Sequence, residues 1–300
     1  LTGGRDIAAA IEALPPLRRV IEGAGLWADR SLGQNFLLDL NLLDRIVRAV
    51  PLTPGDRVYE VGPGPGGLTR ALLKAGAQVI AVERDRRALP ILEALASAVP
   101  GRLTVVEGDA LKVDAAALAG EGAHIVANLP YNIATTLLTG WLTLASWPPW
   151  WRSATLMFQR EVAERIVAVA GTPAYGRLAV LASFRTEARI LLKLPARAFT
   201  PAPRVESAIV QLVPRAPLLD VPVEMLERTT AVAFGMRRKM LRQSLKSALP
   251  AMEALGIDPS RRPETLAPLE FARLAAAIRE AQHPAHPECV APLSGLPVGC

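Results

Sequence analysis

The stretch Arg57-Val58-Tyr59-Glu60-Val61-Gly62-Pro63-Gly64-Pro65-Gly66-Gly67 decides the fold of this chain. A short apolar run, Arg57–Val61, reads as a strand, and residues 67–75 read as a helix. The glycines between them let the backbone turn tightly and approach a ligand closely. Gly62, Gly64 and Gly67 also satisfy the spacing G-x-G-x-x-G, so a dinucleotide site is one reading of this turn.

Outward from that turn, short apolar runs alternate with helical ones. Strands are predicted at Gln78–Glu83, Leu103–Glu107, 124–128, 153–158, 187–194 and 207–213. Helices are predicted at 86–97, 133–143 and 160–169. This alternation predicts a doubly wound α/β sheet. Upstream, residues 8–23 read as an amphipathic helix interrupted by Pro15-Pro16, and a loop spans 31–39. Leu42, Leu43, Ile46, Val47 and Val50 then recur at helical spacing. The Pro-rich stretch 199–205 reads as irregular, and Pro214 and Pro217 mark a linker. Beyond it three helices are expected, at 223–234, 238–249 and 267–281, before a disordered tail. The expected division is a helical extension (1–30), an α/β domain (31–214), a helical domain (215–282) and the tail (283–300).

The 300 residues carry a net charge of +6, with 51% hydrophobic and 21% charged residues. The pI of about 9.8 leans toward an anionic partner. The two cysteines, Cys289 and Cys300, sit in the terminal segment, which argues against a disulfide framework or a cysteine-based zinc site. His124, His283 and His286 form no metal-like pair, and no resident metal is expected. No apolar run approaches the ~20 residues of a membrane span. Residues 1–10 lack the order of a signal peptide, so the expected location is the cytoplasm.

Chemistry-bearing residues fall at the predicted strand ends. Glu83 ends the second strand about 20 residues past the glycine turn, where a carboxylate can grip ribose hydroxyls. That suits a nicotinamide dinucleotide and S-adenosylmethionine equally. Glu60, two residues before Gly62, favours a cationic methionine-type ligand. Asp109 ends the third strand, where it can accept from an adenine amino group. Asn128-Leu129-Pro130-Tyr131 ends the fourth strand. An amide oxygen, a stiff proline and an aromatic ring there make a holder for a flat, amine-bearing base. A plain polar turn is the competing reading of those four residues alone.

Six segments and a basic run together resemble the ribosomal RNA adenine dimethyltransferases. They are residues 31–39, 60–69, 81–85, 107–111, 128–133 and 199–207, followed by Phe234-Gly235-Met236-Arg237-Arg238-Lys239-Met240-Leu241-Arg242. The resemblance covers roughly residues 20 to 280. It implies a Rossmann-like class I S-adenosylmethionine-dependent methyltransferase sheet with a smaller all-helical C-terminal domain. It implies rRNA as substrate and, in the bacterial small-subunit branch, dimethylation of two adjacent adenosines near the 3′ end of that RNA. Carried over by motif, Asn35, Leu37, Glu60, Gly62, Gly64, Glu83, Asp109 and Asn128 are the expected donor contacts, with the loop around Asn35 and Leu37 as a lid. Met240 departs from the family's usual threonine, and the cluster Trp147 to Trp151 is an elaboration read here as packing.

On that reading, Asn128 Oδ1 and the Leu129 carbonyl accept from the adenine amine, Pro130 holds them apart, Tyr131 stacks on the base and Phe199 closes its other face. Arg237, Arg238, Lys239, Arg242 and Lys246 are the expected RNA contacts, with Arg238, Arg242 and Lys246 on one helix face. Arg160, Arg165, Arg177 and Arg204 extend that patch. The expected partner is small-subunit rRNA within a pre-assembled subunit, met by a monomer. A large-subunit rRNA adenine methyltransferase and an assembly factor without turnover remain the alternatives.

Overall fold

The structure is a computed structural model that describes residues 4–29 and 32–282. The predicted tail, with His283, His286 and both cysteines, lies outside the described residues, as does Ser31. The chain opens with helices α1 (Gly4–Glu12) and α2 (Leu17–Ala24), separated at Pro15-Pro16 as the sequence predicts. A two-residue strand β1 (Phe36–Leu37) and helix α3 (Leu40–Arg48) follow. Asp39 caps α3 by accepting from Leu42 N, and Leu43, Ile46 and Val47 form its buried stripe.

The α/β core then runs β2 (Arg57–Val61), α4 (Gly67–Lys74), β3 (Gln78–Glu83), α5 (Leu89–Ala98), β4 (Leu103–Glu107), α6 (Ala115–Ala119) and β5 (Ala123–Ala127). It continues through α7 (Tyr131–Leu142), β6 (Trp151–Gln159), α8 (Arg160–Ile166), α9 (Arg177–Arg185), β7 (Thr186–Leu194), β8 (Phe199–Thr200) and β9 (Ser207–Pro214). Seven strands form one sheet in the order β4-β3-β2-β5-β6-β9-β7. β9 runs antiparallel to both its neighbours, and the remaining pairs are parallel. Helices cover both faces, so the strands read as near-continuous apolar runs. Alternate residues serve opposite faces. Val58, Val126 and Met157 meet α1, α3 and α4, whereas Tyr59, Ile125 and Leu156 meet α7 and α9. Strand order reverses between β2 and β5, which opens a crevice at their carboxyl ends.

Helices α10 (Val223–Gly235), α11 (Leu241–Ser244), α12 (Leu249–Ala254) and α13 (Pro268–Gln282) complete the described chain. Leu226 and Ala233 of α10 and Phe271 and Leu274 of α13 share one apolar cluster with α7 and α9. The tryptophans between residues 147 and 151 are packing residues. Trp150 meets Tyr59 edge-on at 5.8 Å, and Trp147 meets Trp151 at 6.0 Å. Arg185 lies 4.7 Å from the Trp147 ring centroid.

Three expectations need correction. Helix α9 was not anticipated because five of its residues from Ala179 to Phe184 are buried, which erases the helical period. The Pro-rich stretch holds β8, which pairs with β1 through Phe36↔Thr200 and Leu37↔Phe199. The expected helix 238–249 is broken. Met240 is extended (φ −68°, ψ 153°) and Leu245 leaves the helical region (φ −119°, ψ 47°). Distant carbonyls replace the helical ones there: Leu241 N donates to Arg261 O and Arg242 N to Pro259 O. Arg238, Arg242 and Lys246 therefore do not share a helix face.

Candidate active site

The carboxyl ends of β2, β3, β4 and β5 border a cleft of about 810 Å³, counting its open mouth. Gly62 and Gly64 line it with φ of 65° and 53°. A Cβ on Gly64 would stand 3.1 Å from the Phe36 ring while also forcing a left-handed backbone, so only glycine fits there comfortably. Glu83 is buried at the end of β3, and its carboxylate joins the turn to its own strand. Oε2 accepts from Gly64 N at 2.9 Å and Oε1 from Asp85 N at 2.7 Å. Burial pushes this carboxyl upward, opposed by those backbone hydrogen bonds. A carboxylate offers about four acceptor sites, so hydrogen bonds to a ligand's ribose remain open to it. Asp109 lines the same cleft, with Oδ1 held by Leu111 N at 3.0 Å.

Asn128 and Tyr131 stand at the far wall. Asn128 Nδ2 donates to Asn35 O at 3.0 Å, which orients the amide and leaves Oδ1 to accept. Tyr131 opens α7 directly after Pro130, and its hydroxyl lies 2.6 Å from Ser207 Oγ. Burial raises the phenol's pKa, so it stays protonated near neutral pH. Leu129 and Pro130 complete the wall.

Three proposed contacts lie elsewhere. Leu37 and Phe199 pair across β1 and β8, and both side chains belong to an apolar core cluster rather than to the cleft lining. Phe199 is therefore not placed to close the second face of a base. Glu60 sits behind the glycine turn, 1% exposed, where Thr69 Oγ1 donates to its Oε2 at 2.8 Å. Burial pushes its carboxyl up to about 8, with Thr69 opposing and Glu83 adding to the rise.

Sequence reasoning missed the clasp on the loop that precedes β1. Gln34 Nε2 donates to Asp85 Oδ2 at 2.9 Å, and Asp29 N donates to Gln34 Oε1 at 2.9 Å. Arg87 grips both oxygens of Asp85, at 2.9 and 2.7 Å, and holds its carboxyl below the usual range. Gln34 and Ser207 lie inside segments whose likeness was noted, but their partners are 51 and 76 residues away, so no local spacing announces them.

A second, open groove runs beside α7. Thr135, Thr139, Arg165, Arg177, Phe234 and Arg237 line it. Arg237 donates to Pro173 O at 2.7 Å, Arg177 meets Glu227 at 2.8 Å and Arg165 meets Glu161 at 3.6 Å. Arg160 is held between Glu164 and Glu206. Arg238 and Lys239 are exposed side by side in the turn after α10, Arg242 is exposed on α11, and Arg204 is exposed in the loop before β9. Among the described residues no cluster of His, Cys, Asp and Glu is arranged to hold a metal ion, and no helix is long and apolar enough to cross a membrane.

This sheet order, with a glycine turn after β2 and an acid closing β3, defines a Rossmann-like class I methyltransferase whose methyl donor is S-adenosylmethionine. The cradle fits that donor: at Gly64 an added Cβ would crowd the Phe36 ring, and the Glu83 carboxylate beside it keeps acceptor capacity for a ligand's hydroxyls. The chain belongs to the ribosomal RNA adenine dimethylase family, whose model matches residues 27–279. A Novosphingobium aromaticivorans protein named ribosomal RNA small subunit methyltransferase A is 58% identical over 265 residues, covering 87% of this chain and 97% of its own length. Its namesake in a Chelativorans species is 59% identical over 274 residues, covering 90% and 100%. Among solved structures, a dimethyladenosine transferase from Plasmodium falciparum superposes with a TM-score of 0.71 at 25% identity, covering 81% and 96%. The 23S rRNA methyltransferase ErmE superposes with 0.62 at 28% identity, covering 82% and 100%.

Proposed function

We propose that this enzyme adds two methyl groups to the exocyclic N6 of each of two adjacent adenosines in the 3′-terminal hairpin loop of small-subunit rRNA. It acts as a cytoplasmic monomer on a partly assembled small subunit. The observation that carries the reading is the Asn128 amide, tied through Nδ2 to Asn35 O so that Oδ1 is left to receive an amine hydrogen. Bound S-adenosylmethionine supplies an electrophilic methyl group on a sulfonium.

Adenine's amino lone pair is delocalised into the ring, so the nitrogen is a poor nucleophile. Asn128 Oδ1 and the Leu129 carbonyl accept its two hydrogens, favour a pyramidal nitrogen and fix its direction, an orientation effect. Transfer leaves a neutral thioether in place of the sulfonium. The methylated nitrogen, now cationic and acidic, loses a proton to water, and a single N–H remains for which one acceptor still serves. A neutral amide suits both rounds. The target base must leave its stack to enter, and Tyr131 offers a face for it. Glu83, Asp109, Gly62 and Gly64 hold the donor, with Asn35 on the lid. Glu60 acts from behind the turn by bracing it through Thr69.

For the RNA path, the groove beside α7 replaces the single helix face expected from sequence. Its three arginines line it together with Thr135 and Thr139 of the helix that Tyr131 opens. The identities of 58% and 59% to proteins named for the small subunit support that subunit over the large one. The test is to map labelled methyl groups on unmethylated small subunits, naked small-subunit rRNA and large subunits. Two adjacent dimethyladenosines in the small-subunit particle are expected. Labelling confined to the large subunit, or no transfer at all, overturns the proposal.

A further inference from the structure

Residues 199–207 hold two parts of the site at once. Phe199 and Thr200 pair with Leu37 and Phe36, directly beyond Asn35 of the lid. Seven residues past Thr200, Ser207 enters the sheet as the first residue of β9, between Gln159 of β6 and Leu194 of β7. Arg160 N fastens that entry point by donating to Glu206 O at 2.8 Å. Ser207 is fully buried, so its hydroxyl is fixed by the sheet, and that hydroxyl lies 2.6 Å from Tyr131 Oη.

We propose that Ser207 is a positioning residue that anchors the far end of the Tyr131 ring, and so fixes where the target adenine stacks. This rests on the reading of Tyr131 as the base platform. The outer torsion of a tyrosine side chain is a broad, soft well. The hydroxyl oxygen lies on its axis, so a hydrogen bond there pins the far end of the ring, and the phenolic O–H, which prefers the ring plane, adds a weaker bias on that plane. The platform matters more in the second methylation than in the first. Adenine presents two N–H groups to the acceptors, but the monomethylated base presents one and carries added bulk. With one anchor lost at the amine, the stacking plane carries more of the alignment. Loosening Tyr131 therefore slows the second transfer more than the first.

The test compares Ser207→Ala, Tyr131→Phe and the double variant, assayed on unmethylated small subunits. Each single variant is expected to lower kcat/KM for the subunit by roughly five- to tenfold, the scale of one lost hydrogen bond. Each is expected to raise the proportion of monomethyladenosine and to leave donor affinity within about twofold. The double variant is expected to be no worse than either single one, because both remove the same contact. Wild-type kinetics in Tyr131→Phe, an unchanged product ratio, or additive losses in the double variant overturn the proposal. Tyr131→Phe keeps the ring and removes nothing from the core, so it decides the matter even if Ser207→Ala folds poorly. Tyr131→Ala separates the two readings. If it leaves the subunit KM unchanged, the platform itself fails. If it raises KM while Tyr131→Phe behaves as wild type, only the positioning role fails.

Discussion

The half of the cleft proposed to hold the methyl donor and the half proposed to hold the target base are fixed by different means. On the donor side, Glu83 is fixed by backbone N–H groups of Gly64 and Asp85, and Asp109 by that of Leu111. The bonds to Asp85 and Leu111 span only two residues, and that to Gly64 spans 19 within one strand–turn–helix–strand unit. On the acceptor side, Asn128 is held by Asn35 O, 93 residues away, and Tyr131 by Ser207, 76 residues away. The donor half is thus built by local backbone geometry, and the acceptor half by side chains that meet only once the whole sheet has formed. The two halves should fail separately.

The largest expected effect is at Asn128. Asn128→Ala removes the proposed amine acceptor and also the tie to Asn35 O. Methyl transfer should fall by roughly a thousandfold, as when a preorganised polar group at a reacting centre is deleted. Donor affinity should fall far less, because Glu83 and the glycine turn remain. Single-turnover transfer beside donor titration checks this, and near-normal turnover would sink the acceptor assignment.

Glu83 is the counterpart in the donor half. Glu83→Ala strands two backbone N–H groups in a buried setting, each worth about 1–3 kcal/mol. Donor affinity should drop by on the order of a hundredfold, read by calorimetry, while affinity for small-subunit rRNA holds. An equal loss of RNA affinity would show that the two halves are not independent.

Behind the donor turn, Glu60 gives a pH signature. Its carboxyl ordinarily titrates at 4.5 and is raised to about 8 in the fold. Below the ordinary value both states are protonated, and the contribution to stability is complete. As pH rises toward 8 the unfolded chain releases a proton that the folded one keeps, so stability falls and levels off above that point. The slope is at most ~1.4 kcal/mol per pH unit, tenfold in the folding constant. Glu60→Gln should flatten it, as measured by denaturant unfolding of donor-free protein across that range. An unchanged slope would place its origin elsewhere.

The same contrast explains what the sequence disclosed. Strands β2, β3 and β4 lie where the apolar runs put them, and Gly62, Gly64, Glu83 and Asp109 follow because they occupy strand ends. Phe199 misled because an aromatic ring in a Pro-rich stretch reads as a loop residue, whereas pairing with Leu37 draws it into the core. The run from Arg238 to Lys246 misled because nothing in its composition breaks a helix. Tertiary bonds to Arg261 and Pro259 do so instead. Such partners, tens of residues away or on another element, leave no periodicity to find.

The smallest expected effect concerns that basic region and decides where the RNA runs. Tyr131, Thr135 and Thr139 follow one another along α7 at intervals of four residues, and the last two line the groove. At 1.5 Å per residue, Thr139 lies ~12 Å along the helix from Tyr131, about two nucleotide steps for a strand whose target base is inserted at the platform. Arg237 reaches that groove and donates to a backbone carbonyl, Pro173 O, whereas the guanidinium of Arg177 is partly offset by Glu227. Lys246 sits beyond the break at Leu245. If the RNA backbone follows α7, Arg237→Gln should weaken small-subunit rRNA binding a few-fold and lower the slope of log affinity against log salt by about one. Arg177→Gln should do less because Glu227 already screens that charge, and Lys246→Gln least of all. Salt titrations of the three variants give the order directly. Lys246 ranking first would move the strand away from α7 and onto the surface around α11.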